Sequence, residues 1–418
     1  MKVVHLSTSD FGGAAMAAIN LHRALLDQGL ESDLLTMGRT RHDIPRHTQV
    51  QPFSLGGGLV WNKLKYKFGR IQEITGLAED RNNQPNNRYL KDRPAGYEIF
   101  TLPYSWFSIL DHPLVKQADV VHLHWVSFGM VDYADFFANC KSKVVWTMHD
   151  MNPFTGGCHH ADDCVGYKAS CPVCPQLKNR TKAHDYWQYK HDALHGSRSG
   201  SLHLVAPSQW LADRCETSTI MSGRSVSVIP NGFDVQRFRY MEKARERLQF
   251  PKEKHMVLFN ALDTANPRKG IQYLVPALRM LNDPNILLVS VGGRSMDLPS
   301  GIEIHEAGFV SDPETLALYY SAADLFVLPS MAENLPNTIS ESLLCGTPVV
   351  AFRVGGIPEQ VGASDGVLVE TMSSEALSTG IATALQMQWD PHSIAERAVA
   401  RYNGRSIAQA YQQIYSAG

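Results

Sequence analysis

The 418-residue chain is 44% hydrophobic and 19% charged, which excludes a disordered or nucleic-acid-coating protein and leaves length for two or three packed domains. Lys+Arg 39 against Asp+Glu 41 gives a net charge of −2, so no overall basic field attracts nucleic acid. No apolar run approaches the ~20 residues of a membrane-spanning helix, and the opening MKVVHLSTSDFGG reads as a strand and turn rather than a signal peptide; a cytoplasmic enzyme is expected.

In chain order, Val3–Ser7 reads as an apolar strand, Asp10–Gly13 as a turn and Ala14–Asp27 as a helix stopped at Gly29, with Asp33–Thr36 the next strand. Residues 40–110 carry turn formers, including Gly56-Gly57-Gly58 and Asn82–Asn87, and read as an irregular insertion. Within them Leu59–Arg70 forms a short helix with Val60, Trp61, Leu64 and Phe68 on one arc and Lys63, Lys67 and Arg70 beside it. That pattern fits an anionic membrane surface or a domain-packing helix. Order resumes with strands at Asp119–His124 and Lys143–Met148, a Cys-rich insertion at 149–178, then strands at Leu202–Ala206 and Val226–Ile229. The pattern restarts with apolar strands Met256–Asn260, Ile286–Val291, Leu325–Leu328 and Val349–Ala351, separated by helical stretches. Apolar strands alternating with helices predict an α/β chain of two doubly wound, Rossmann-like domains facing across a cleft: 1–230 and 231–405, with a last helix in 406–418 crossing back to the first.

The segment Pro329–Glu341 leaves a strand, crosses a polar loop holding Glu333, Asn334 and Leu335, and enters a helix that carries Glu341. Backbone amides at such a helix start hold phosphate oxygens, and carboxylates accept paired hydrogen bonds from a ribose diol or sugar hydroxyls. Lys269, between a strand and a helix, suits a diphosphate, and Arg268 adds a bidentate donor. Gly12 and Gly13 let a backbone approach a ligand, without forming GxGxxG. His124 ends its strand, His122 lies deeper, and His149-Asp150 ends the next strand, where it lines an acceptor side or satisfies strand-end groups. Cys158, Cys164, Cys171 and Cys174 fall within 17 residues and either suit one structural Zn²⁺, with His159 and His160 as alternative ligands, or are plain buried cysteines. No Asp-x-Asp sits in a loop, so no catalytic metal is expected.

These motifs, with Ile229–Asp234 and Gly308-Phe309-Val310, resemble the retaining family-4 glycosyltransferases of GT-B fold over most of the chain, most strongly over 255–360. The Cys-rich insertion and the following Cys-Pro-Gln-Leu resemble enzymes of colanic-acid-type exopolysaccharide assembly. The resemblance implies a nucleotide-sugar donor, UDP- or GDP-linked, in the second domain, and a growing, lipid-linked glycan as acceptor. It places Glu341 at the ribose, Glu333 and His124 at the donor sugar, Lys269 at the pyrophosphate and Val310 near the base. The family's usual Arg several residues before the Lys is absent; Thr264 stands near that place and Arg268 is the candidate replacement. Such an enzyme would sit in the cytoplasm, peripherally on the inner face of the membrane. Two other readings are a GT-B epimerase or phosphorylase, and a non-catalytic nucleotide-sugar-binding assembly protein.

Overall fold

The computed structural model describes residues 1–56, 58–75, 87–196, 202–263, 266–292 and 302–417; Gly57, the Asn-rich run 82–86 and Thr264 lie outside them. The chain divides into two compact units, Met1–Ile229 with Ala408–Gly418, and Pro230–Ile407.

The first unit is a parallel sheet in the order β3-β2-β1-β4-β5-β6-β7. Its strands are β1 (Lys2–Ser7), β2 (Glu31–Thr36), β3 (His47–Gln49), β4 (Val120–Leu123), β5 (Lys143–Thr147), β6 (Leu202–Ala206) and β7 (Val226–Val228). The second is a parallel sheet in the order β10-β9-β8-β11-β12-β13, from β8 (His255–Ala261), β9 (Ile286–Gly292), β10 (Glu303–Gly308), β11 (Leu325–Leu328), β12 (Val349–Phe352) and β13 (Gly366–Val369). In the second sheet successive residues go to opposite faces. Leu258, Phe326 and Leu328 join one apolar cluster, while Val257, Phe259 and Val327 join another, so both faces are packed.

Strand order reverses between β1 and β4 in one sheet and between β8 and β11 in the other. At such a reversal the connections leave in opposite directions and open a crevice beyond the carboxyl ends of the strands. The loops after β1 and β4, and those after β8 and β11, carry the residues singled out above. The last helix, Gly404–Ser416, brings Tyr411 and Tyr415 into the first unit; the Tyr415 hydroxyl shares a 2.7 Å hydrogen bond with His122 Nδ1.

Residues 40–110 are more regular than expected. They contain the edge strand β3 and the 17-residue helix Leu59–Thr75. β3 has one buried residue, His47, so it leaves no apolar run in the sequence. β10 and β13 were also not anticipated: both lie at sheet edges, β10 reads Glu-Ile-His-Glu, and β13 is buried only at its two ends.

The loops after β8 and β11 meet at Gly270. Its φ is +77°, and a Cβ there would stand 1.8 Å from the carbonyl oxygen of Pro329. Gly270→Ala should destabilise the second unit by roughly 2–4 kcal/mol. Denaturant unfolding checks this, and a variant as stable as the parent contradicts the close approach.

Candidate active site

The second unit's site is built from three segments. Pro267–Lys269 is a single turn capped by the Asn266 side chain, which accepts from the Arg268 amide. The Met331 amide donates to the Arg268 carbonyl at 2.8 Å and joins this turn to the loop after β11. The helix Asn337–Leu344 follows, and among the described residues no side chain caps its first turn, the kind of helix start that holds an anion.

The side chains converge on Glu333. Lys269 Nζ donates to Glu333 Oε1 at 2.6 Å, and Arg268 Nη1 lies 3.0 Å from the same oxygen. Arg268 Nη1 also donates to the Ala332 carbonyl at 2.6 Å. Among the described residues two cations thus face one carboxylate oxygen, donors that an incoming dianion can also engage. The Ser330 hydroxyl is fully buried and finds no hydrogen-bond partner among the described residues. Asn334 is buried and Leu335 half-buried, and the Asn334 carbonyl accepts from the Gly356 amide at 2.9 Å.

Glu341 lies apart from that cluster, braced from behind. Asn260 Nδ2 donates to the Tyr320 hydroxyl at 2.9 Å, and that hydroxyl donates to Glu341 Oε2 at 3.1 Å. Burial raises the Glu341 carboxyl to about 7, with the Tyr320 hydroxyl pulling the other way. Asn260 and Tyr320 are neighbours of Glu341 that the motifs do not reveal; a polar residue near the end of an otherwise apolar strand is the available signal. Val310 follows the edge strand β10, is half-buried, and packs against the core; β9 separates β10 from β8.

In the first unit Gly12, at φ +85° with open space where a Cβ would stand, precedes the helix Gly13–Asp27, whose N-terminus has no side-chain cap. Asp10 fixes this turn by accepting from the Thr40 amide, the Thr40 hydroxyl and the Arg41 amide at 2.6–2.7 Å. His124 follows β4 and is enclosed. It shares one hydrogen bond with His5 Nδ1 through Nε2 (3.0 Å) and another with His149 Nε2 through Nδ1 (3.2 Å). Both its nitrogens are engaged, so contact with a sugar requires releasing one of those bonds. Burial, then the neighbouring histidines, lower the His124 pKa well below its usual value and keep the ring neutral. His122 is held between Tyr415 and Thr147, as a structural residue would be.

Asp150 turns inward. It accepts from His159 Nδ1 at 2.6 Å, from Trp125 Nε1 at 2.9 Å and from the Asn152 amide at 2.8 Å. Burial works to raise its pKa, but the His159 ring and the Asn152 amide outweigh it and hold it at about 2. Asp150 therefore ties strand end to insertion, with His124, Trp125 and His149 lining a cavity of about 10 Å³ beside it. His159 is corrected as a metal-ligand alternative: its second nitrogen shares a 2.9 Å bond with Thr101, leaving neither for a metal. The His160 carbonyl accepts from Gln176.

Comparison with known proteins agrees with this geometry. The family described as Glycosyltransferase Family 4 matches residues 11–237, more than half of the chain. The chain belongs to glycosyltransferase family 4. The family described as Glycosyl transferases group 1 matches 241–405. An Escherichia coli relative named as the colanic acid biosynthesis glycosyl transferase WcaC is 26% identical over 97% of this chain and 96% of its own. The Bacillus subtilis teichuronic acid biosynthesis glycosyltransferase TuaC is 29% identical over 48% of this chain and 53% of its own. Among solved structures, Anabaena HepE with UDP and glucose superposes with a TM-score of 0.64 at 18% identity, covering 100% of both chains. Sucrose-phosphate synthase of Thermosynechococcus elongatus gives 0.63 at 21%, again covering 100% of both. The fold is GT-B, and the chain is a glycosyltransferase.

Because Glu341 holds its proton to about pH 7 when folded, the folded chain binds one more proton than the unfolded chain between about pH 4.5 and 7. This carboxyl's contribution to stability is therefore full below that window and is lost as pH rises through it. Glu341→Gln should gain stability relative to the parent between pH 5 and 7.5. Parallel unfolding curves at both pH values contradict the raised pKa.

Proposed function

We propose that this family-4 glycosyltransferase moves a sugar from a UDP- or GDP-sugar to a growing, lipid-linked cell-surface polysaccharide, with retention of anomeric configuration. The observation that carries the reading is the pair Arg268 and Lys269, held by Glu333 beside an uncapped helix start where strand order reverses. A nucleoside diphosphate supplies the anion such a pair takes up. In this reading Lys269 and Arg268 leave Glu333 for the diphosphate, with the leading amides near Asn334 and Leu335. Glu333 then turns to the donor sugar, the ionised Glu341 accepts from the ribose diol, and Val310 borders the base. The cations and amides stabilise the departing diphosphate without a catalytic metal. With no covalent nucleophile assigned, same-face attack by the acceptor accounts for retention. The polysaccharide acceptor is supported by the relatives named for colanic acid and teichuronic acid biosynthesis.

A screen of nucleotide sugars with lipid-linked acceptors tests this. The expected result is glycan extension with release of nucleoside diphosphate, and Lys269→Ala should weaken donor binding roughly 10–100-fold, the loss of one charged hydrogen bond. Isomerised or phosphorolysed donor without acceptor extension, or a folded Lys269→Ala chain with unchanged donor affinity, contradicts the reading.

The helix Leu59–Thr75 supports a peripheral position on the inner, anionic face of the membrane. Among the described residues no helix is long and apolar enough to cross a bilayer. This helix exposes Val60 (72%), Trp61 (64%) and Phe68 (63%), with Leu64 and Ile71, on one arc. Its opposite side packs through Asn62, which donates to the Phe53 carbonyl, and Tyr66, which stacks near Phe53 and Trp106. Lys63 and Lys67 lie on one flank of the apolar arc and Lys65 on the other, all exposed. Arg70 does not join this basic flank freely, because it pairs with Glu73. Replacing Lys63, Lys65 and Lys67 by Gln should weaken sedimentation with anionic vesicles by roughly two orders of magnitude at low salt. Wild-type protein that ignores such vesicles contradicts the placement.

A further inference from the structure

The insertion after β5 has a second organised centre that sugar transfer does not use. Cys158, Cys164, Cys171 and Cys174 line one cavity of about 20 Å³, room for about one water-sized atom. All four are free thiols. Backbone amides are turned toward the sulfurs: Gly166 donates to Cys164 Sγ at 3.5 Å, and the amides of Gln176 and Leu177 bond to Cys174. Cys171 adopts φ +48°, a left-handed conformation that aims its side chain from a tight turn.

Two cations face the same thiols. Lys190 is fully buried; its Nζ donates to the Asn152 carbonyl at 2.5 Å and interacts electrostatically with Cys158 and Cys171. Arg93 donates to the Gln176 and Glu98 carbonyls and interacts with Cys174 and Cys158. Among the described residues neither forms an ion pair with a carboxylate. Lys190 also lies over the Tyr133 ring at 5.2 Å and feels the Asp150 carboxylate, and a buried ammonium remains costly unless further negative charge lies close by. Four neutral thiols do not supply that charge. Four thiolates around a divalent ion carry a net −2, which these two cations balance.

We propose that the four cysteines bind one structural zinc ion, with Lys190 and Arg93 as its counter-charges. Four sulfur ligands close the coordination sphere and leave no position for water or substrate. Zinc at about 2.3 Å from each sulfur brings the sulfurs to about 3.8 Å from one another. The four sulfurs are not among the described ligand groups within 4.8 Å of one another, so binding the ion has to draw them together. Among the described residues the group of three ligand atoms lying within 4.8 Å of one another is instead His5, His122 and His124, but the rings of His122 and His124 are each hydrogen-bonded through both nitrogens. The zinc would act on the first unit through position. Cys158 directly precedes His159, whose ring holds Asp150, so a fixed Cys158 fixes the segment that borders His124 and His149.

The experiment is metal analysis of untagged wild-type chain, followed by cobalt exchange and thiol titration of the folded protein. The expected results are about one zinc per chain, an intense visible spectrum of tetrahedral cobalt thiolate, and four thiols that become reactive only on chelation. The double variant Cys171→Ser, Cys174→Ser should lose the metal. Should that variant fail to fold, the wild-type cobalt spectrum alone decides. Less than about a fifth of a zinc per chain with the four thiols freely reactive, or a disulfide among them, overturns the proposal.

Discussion

The second unit's site depends on the absence of one side chain. Gly270 lies against the carbonyl of Pro329, so the loops leaving β8 and β11 touch through backbone. That contact sets the amide of Met331 on the carbonyl of Arg268 and places Lys269 and Arg268 on Glu333. A Cβ would push apart loops that have to meet for two cations to share one carboxylate. The same loop is held from its other side by Gly355, where a Cβ would stand 1.6 Å from the Glu333 carbonyl oxygen. Glu333 is thus fixed in backbone by one glycine and in charge by two cations.

The two units solve the burial of polar groups differently. The second concentrates charge at its crevice and leaves a carboxyl, Glu341, poised near neutrality. The first packs neutral imidazoles: His5, His124 and His149 run in a hydrogen-bonded row, and His122 stacks on His124 with ring centroids 4.2 Å apart. Burial, the leading cause for each, keeps these rings neutral at physiological pH, so the row holds tautomers rather than charge. One tautomer choice at His5 therefore sets which nitrogen of His124 carries a proton, and through it the state of His149.

Much of this was legible in the chain. β8, β9, β11 and β12 have apolar centres because both faces of their sheet are covered, and the restart of that pattern marks the second unit. The edge strands β3 and β10 were not legible, because an edge strand facing solvent has no apolar run to betray it. Arg268, Lys269 and Glu333 could be found as neighbours of strand ends, but the mutual pairing of all three could not. It depends on the Gly270–Pro329 approach, between residues 59 positions apart. Asn260 and Tyr320 were invisible for a similar reason: Tyr320 reaches Glu341 from a helix and Asn260 braces it from a strand, elements that only the fold brings together. His159 looked like a metal ligand beside cysteines and is instead the partner of Asp150, because the insertion folds back onto the end of β5.

The central claim is that a nucleoside diphosphate displaces Glu333 from Lys269. Calorimetric titration of UDP and GDP against the parent, Glu333→Gln, Lys269→Met and the double variant measures it directly. The account predicts that Glu333→Gln binds diphosphate as tightly as the parent or more tightly, since its cations are released. It also predicts that Lys269→Met costs more affinity in the Glu333→Gln background than in the parent, where the lysine must first leave its partner. Strictly additive losses, with Glu333→Gln weakening diphosphate binding, would contradict it.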